Sequence, residues 1–137
     1  MANSEKESKV SLRISTSNLT ISEISLILGE QPTESVEKGK LISTRSPTPR
    51  FHQETLWFIE SGLSSNETFD THLEKIAEFI ETHISVLQEL ISKGCDIGIY
   101  CSFTTFNGQG GLLLSSEVLK KLAMLPIDLM IDLYAIN

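Results

Sequence analysis

The stretch VSLRIST at residues 10–16 alternates strictly, with Val10, Leu12 and Ile14 on one side and Ser11, Arg13 and Ser15 on the other. Successive side chains of a strand point to opposite faces, so this pattern predicts a strand with one buried face and one wet face. A sheet of such strands takes helices on one side only, which points to a two-layer α+β arrangement rather than a doubly covered parallel sheet. The alternation returns in residues 96–104, where Ile97, Ile99, Cys101 and Phe103 share one face and Gly98, Tyr100 and Ser102 the other. Residues 127–135 repeat it, with Ile127, Leu129, Ile131 and Leu133 inward and Asp128, Met130, Asp132 and Tyr134 outward. Residues 55–61 (TLWFIES) are dense in aromatic and β-branched side chains and predict a further strand. Shorter strands are expected near residues 40–44 and 112–114.

Between these strands the apolar spacing changes to threes and fours. Thr20 and Glu23 form a capping box ahead of Ile21, Ile24, Leu26, Ile27 and Leu28, and Gly29 stops that helix. Residues 68–92 predict one long helix, because Phe69, Leu73, Ile76, Ile80, Ile84, Leu87 and Ile91 draw a single stripe. Ser115 caps a last helix carrying Val118, Leu119, Leu122 and Leu125, which ends before Pro126. The expected fold is an α+β two-layer sandwich: a mostly antiparallel sheet on two or three helices, a ferredoxin-like core with an added helix and strand. A length of 137 residues suits one domain, expected over residues 10–137 behind a disordered tail at residues 1–9. Residues 31–53 hold three of the four prolines and predict a long, mobile surface connection.

The net charge of −7 has a location. Residues 54–89 carry Glu54, Glu60, Glu67, Asp70, Glu74, Glu78, Glu81 and Glu89 against Lys75 alone, which is the whole of it. Residues 38–50 have the opposite character, with Lys38, Lys40, Arg45 and Arg50 and no acid. Nucleic acids and anionic bilayers require a broad positive footprint, so neither is an expected partner. The acidic segment favours a basic protein partner. The basic stretch is expected to dock on the acidic helix, within a monomer or across a homodimer. No apolar run approaches the roughly 20 residues of a membrane-spanning helix, and residues 1–9 lack the apolar centre of a secretory signal, so a cytoplasmic location is expected.

Chemistry-bearing residues are sparse. Cys95 and Cys101 lie about 20 Å apart along one predicted strand. That is beyond the Cα separation of about 7 Å that a disulfide allows, so both read as buried, reduced thiols. His52, His72 and His83 share no spacing with them that would build a metal site, and neither a metal nor a cofactor is expected. The turn NGQGG at residues 107–111 offers backbone amides to an anion but lacks the Lys-Ser/Thr of a phosphate loop, and reads as a tight turn. Asp70, Glu74, Glu78 and Glu81 line the outer side of the long helix, either a solvated face or an anionic strip for a basic partner. Strand parity points Arg13, Tyr100, Ser102, Asp132 and Tyr134 away from the helices. An Arg13–Asp132 pair framed by the tyrosines is therefore expected on the open sheet face, either as a satisfied cross-strand network or as a group that binds a ligand or partner. No nucleophile elbow or reactive-cysteine context is visible, which argues against an enzyme.

A set of short motifs in order covers nearly the whole chain. LRIS at 12–15, LG at 28–29, QPT at 31–33 and KG at 38–39 precede Trp57. HL at 72–73, GQGG at 108–111, LS at 114–115 and DLY at 132–134 follow it. This series resembles the bacterial domain-of-unknown-function family numbered 4279, and the resemblance implies a small stand-alone bacterial protein without an assigned activity. From size, charge layout and missing catalytic motifs, the expected function is non-enzymatic protein binding, in its specific form the neutralisation of a toxin by an immunity protein. The alternative is a small-ligand-binding protein or enzyme using the open sheet face.

Overall fold

Two split β-α-β units interleave to make the sheet, which the computed structural model describes over residues 6–43 and 48–136. The first unit runs from β1 (Lys6–Thr16) through α1 (Ile21–Leu28) to β2 (Glu34–Val36). The second runs from β5 (Thr55–Glu60) through α2 (Phe69–Thr82) and α3 (Ile84–Ser92) to β6 (Asp96–Thr105). β3 (Leu41–Ser43) and β4 (Arg50–Phe51) form a separate two-stranded ribbon between the two units. α4 (Ser116–Leu122) and β7 (Asp128–Ala135) complete the chain. The sheet order is β2-β5-β1-β6-β7. The first four are antiparallel neighbours, which is the ferredoxin-like arrangement. β7 adds to it in parallel, through the crossover carried by α4.

The alternation of β1 decides which face is covered. Val10, Leu12 and Ile14 have no exposed surface and sit beside Trp57, Ile97, Ile99 and Cys101 of the neighbouring strands. Ile24, Leu73, Ile76, Ile80, Leu87, Leu90 and Val118 close the layer from the helices. Burying each such side chain contributes about 1.5–3 kcal/mol, so this layer holds most of the fold's stability. Trp57 adds a directional tie, its Nε1–H donating to Ser25 Oγ of α1 at 3.0 Å. The capping box at Thr20 and Glu23 forms as expected, with Gly29 left-handed at φ 71°.

Four expectations change. The long helix is two, because His83 leaves helical geometry at φ −109° and ψ 21°. Its backbone N–H and its ring Nδ1 both meet the Phe79 carbonyl, at 3.0 and 2.8 Å, and Nε2 reaches the Glu30 carboxylate at 3.1 Å. Residues 6–9 of the expected tail belong to β1, paired with residues 102–105 of β6; residues 1–5 lie outside the described residues. Residues 112–114 form no strand, although Leu112 and Leu114 pack on the core edge.

Among its described residues, the connection over residues 31–53 contains three short strands. β2 joins the main sheet, and Glu37 accepts the Ile21 N–H at the start of α1 and the Thr55 hydroxyl. The expected strand at 40–44 corresponds to β3, with Thr44 outside the described residues. Lys38 Nζ donates to the Ser17 carbonyl rather than to the acidic helix, and among the described residues no ion pair joins this stretch to α2.

Candidate functional site

Because the helices pack on one side, the other side of the sheet is a surface built entirely by strands. Its rows follow from the pairing register. One row runs Glu34, Phe58, Arg13, Gly98, Asp128 across five strands. The next runs Glu60, Ser11, Tyr100, Met130, and beyond it lie Lys9, Ser102 and Asp132. Thr104 and Tyr134 form the corner. The Tyr100 ring lies close over Gly98, its Cε1 3.5 Å from where a β-carbon would stand, which is ordinary van der Waals contact. The Arg13 guanidinium stacks on that ring, 4.3 Å from its centroid. Such a pair contributes about 0.5–1 kcal/mol where it is partly exposed. Arg13 Nε is buried in this stack without a hydrogen-bond partner.

All five open-face residues expected from parity lie on this face, but they are not one cluster. Arg13 touches Tyr100, and Ser102 stands opposite Asp132. The Arg13–Asp132 pair does not form. Arg13 is in register with Gly98, four residues along β6 from Ser102, and that is about 13 Å of strand. Tyr134 sits at the corner beside Thr104, away from Arg13. A hollow of about 200 Å³ lies between the rows, lined by Glu34, Phe58, Glu60, Tyr100, Ser102 and Asp132 among others. Lys9 and Glu60 pair beside it at 3.5 Å. Phe58, Glu34, Glu60 and Met130 belong to the face as much as the expected residues do. Phe58 was readable from parity once Trp57 is taken as core.

The acidic residues of α2 lie in the other layer. Glu74, Glu78 and Glu81 are exposed, while Asp70 is half-buried in the first helical turn. Lys75 approaches Glu78 at 4.0 Å and Lys121 of α4 approaches Glu81 at 3.6 Å, so the strip is partly neutralised. The glycine turn satisfies itself: Asn107 Oδ1 accepts from the Thr105 hydroxyl and from the Gln109 N–H. It borders a cleft of about 510 Å³ at the start of α2, whose charged lining is Glu67, Asp70 and Lys6.

One contact has no trace in the sequence. The Ser61 hydroxyl and His72 Nδ1 are 2.6 Å apart, both groups buried. His72 Nε2 faces the Ser64 carbonyl at 3.0 Å, and a carbonyl only accepts. Nε2 therefore carries a proton, and in the corresponding neutral tautomer Nδ1 accepts from Ser61. Ser61 Oγ also takes the Leu63 N–H at 3.3 Å. These bonds latch the β5–α2 connection to α2 with the hydroxyl turned into the protein. The cysteines are equally enclosed. Desolvation pushes the Cys101 thiol up from 9.0 to about 12. Desolvation first, and Asp96 second to a Thr16 hydrogen bond that opposes it, leaves Cys95 raised as well. Among the described residues no group of three or more His, Cys, Asp or Glu side chains is placed to hold a metal, and no helix is long and apolar enough to cross a membrane.

The fold and face together define a ferredoxin-like α+β domain that leaves one polar and aromatic sheet surface uncovered. The chain belongs to the family described as domain of unknown function (DUF4279), whose model matches residues 6–136. No curated protein and no solved structure matches it.

Proposed function

We propose that this chain is a non-enzymatic protein-binding module whose docking surface is the open face of the sheet. The observation that carries the reading is the composition of that face. Arg13, Phe58, Tyr100, Met130 and Tyr134 are of the residue types that concentrate binding energy at protein interfaces. They lie between acidic margins, Glu34 and Glu60 on one side and Asp128 and Asp132 on the other. The 200 Å³ hollow is below the roughly 300–1,000 Å³ of small-molecule pockets, which weighs against the ligand-binding alternative. The acidic margins suit a partner with a basic rim around an apolar centre. A bacterial immunity protein that covers a basic toxin is the specific form of this reading. The two buried, unpaired thiols are compatible with a cytosolic setting.

The test places a photo-crosslinking phenylalanine analogue at Phe58 or at Glu78 and irradiates each chain in extract of its native cells. The reading predicts an adduct with a basic protein from position 58 and none from position 78. An adduct from position 78 alone would move the docking surface to α2. A small molecule retained by the parent in native mass spectrometry and lost in Tyr100→Ala, with no adduct, would favour the ligand-binding alternative.

A further inference from the structure

We propose that β7 is a dimerisation edge, along which two copies of this chain pair antiparallel, centred on Leu133, to form one continuous ten-stranded sheet. The two edges of the sheet differ in kind. β2 is three residues long, carries Glu34 and Ser35 and follows Pro32, all features that blunt an edge. β7 is eight residues long, carries no proline or lysine, and has its only charges at Asp128 and Asp132, leaving Leu133–Ala135 uncharged. Among the described residues β6 is its only strand neighbour. The Ile136 N–H donates to the Thr105 carbonyl of β6. Backbone groups alternate along a parallel strand, so those of Leu129, Ile131 and Leu133 turn outward, away from β6.

The side chains on this edge are apolar and exposed. Leu133 is 68% exposed although its parity is inward, and Met130, Tyr134 and Ile136 are each about half exposed. On α4, Lys121 reaches Glu81 of α2, and Leu119 is 45% exposed. Leu133, Met130, Tyr134 and Ile136 together offer on the order of 400 Å² per chain before any backbone contact, about half of the ~800 Å² per partner of a stable interface.

The sequence selects the occupant, because β7 is complementary to itself. With Leu133 opposite its own copy, Asp132 faces Tyr134, Ile131 faces Ala135 and Met130 faces Ile136. Outward backbone groups then meet outward backbone groups, and helices meet helices on the same side. Sliding the centre to Asp132 would set two carboxylates in directly opposed positions, which is destabilising. Pairing at Leu133 also joins the two open faces into one surface.

Sedimentation equilibrium over a wide concentration range tests the proposal. The parent should give twice the chain mass of 15.2 kDa and a melting temperature that rises with concentration, and Leu133→Asp should give the monomer with its circular dichroism unchanged and its melting independent of concentration. Leu133 is exposed in the monomer, so loss of folding is not expected. Leu133→Cys should be joined to its copy by a short bismaleimide, while Glu34→Cys on the other edge should not. A parent that stays monomeric, a dimer that survives Leu133→Asp, or linkage only through position 34 would overturn it. A monomeric result leaves the crosslinking test at Phe58 unaffected, so the two readings fail separately.

Discussion

Tyr100 and Cys101 are neighbours in one strand and inhabit different environments. Cys101 faces the helices, is 4% exposed and has its thiol pushed up to about 12 by desolvation. Tyr100 faces the open side, lies half-buried over Gly98 and carries Arg13 on its ring. The contrast extends along the whole sheet. On one face apolar side chains interlock with helices and leave nothing free to bind. On the other, side chains are satisfied with one another only in part, and Arg13 Nε is buried without a partner. The covered face makes the fold, and the open face is free to serve contact.

Perturbing the covered face should cost stability. The largest effect is in pH. Cys101 keeps its proton to about 12 in the folded chain, against 9.0 ordinarily, so the folded state binds the extra proton between those values. Stability from this group is fully present below pH 9 and is lost as pH rises to 12, by up to roughly 4 kcal/mol. Denaturant titrations across that range should show a steeper fall for the parent than for Cys101→Ala. Next, Leu12→Ala on the central strand should cost about 3 kcal/mol, read as a lowered urea midpoint with unchanged slope. A loss under 1 kcal/mol would mean the helix layer is loosely packed.

Smaller effects sharpen the boundary between layers. Thr20→Ala removes one half of the capping box on α1 and should cost about 1 kcal/mol, visible as a few degrees in melting temperature. Lys121→Ala breaks the exposed contact with Glu81 and should change stability by less than about 0.5 kcal/mol. A larger loss would show that the acidic strip of α2 is held in place by α4 rather than merely screened by it.

The two faces were also unequally legible. Parity in residues 10–16 and 96–104 assigns Leu12, Arg13, Tyr100 and Cys101 to their sides without any structure, because the period of a strand is local. Register is not local. Nothing in the sequence says that Arg13 lies opposite Gly98 rather than near Asp132, so the expected ion pair came from parity alone. The break at His83 was hidden for a similar reason, since the apolar stripe of residues 68–92 continues through it while the interrupting contacts come partly from Glu30. β2 was missed because three residues, Glu34, Ser35 and Val36, are too few to show a period. Ser61 and His72 meet only once the β5–α2 connection folds back, and Leu133 follows the inward pattern on a strand whose outer end no helix covers.

The division of labour between the faces is tested most directly by Arg13→Ala/Tyr100→Ala, built into the chain that carries the photo-crosslinker at Phe58. Unfolding free energy and adduct yield are then measured on the same preparation. The account predicts a stability loss below about 2 kcal/mol, in keeping with a partly exposed cation–π pair, together with disappearance of the adduct. A loss of about 3 kcal/mol or more with the adduct yield unchanged would contradict it, because the open face would then be part of the fold and not its binding surface.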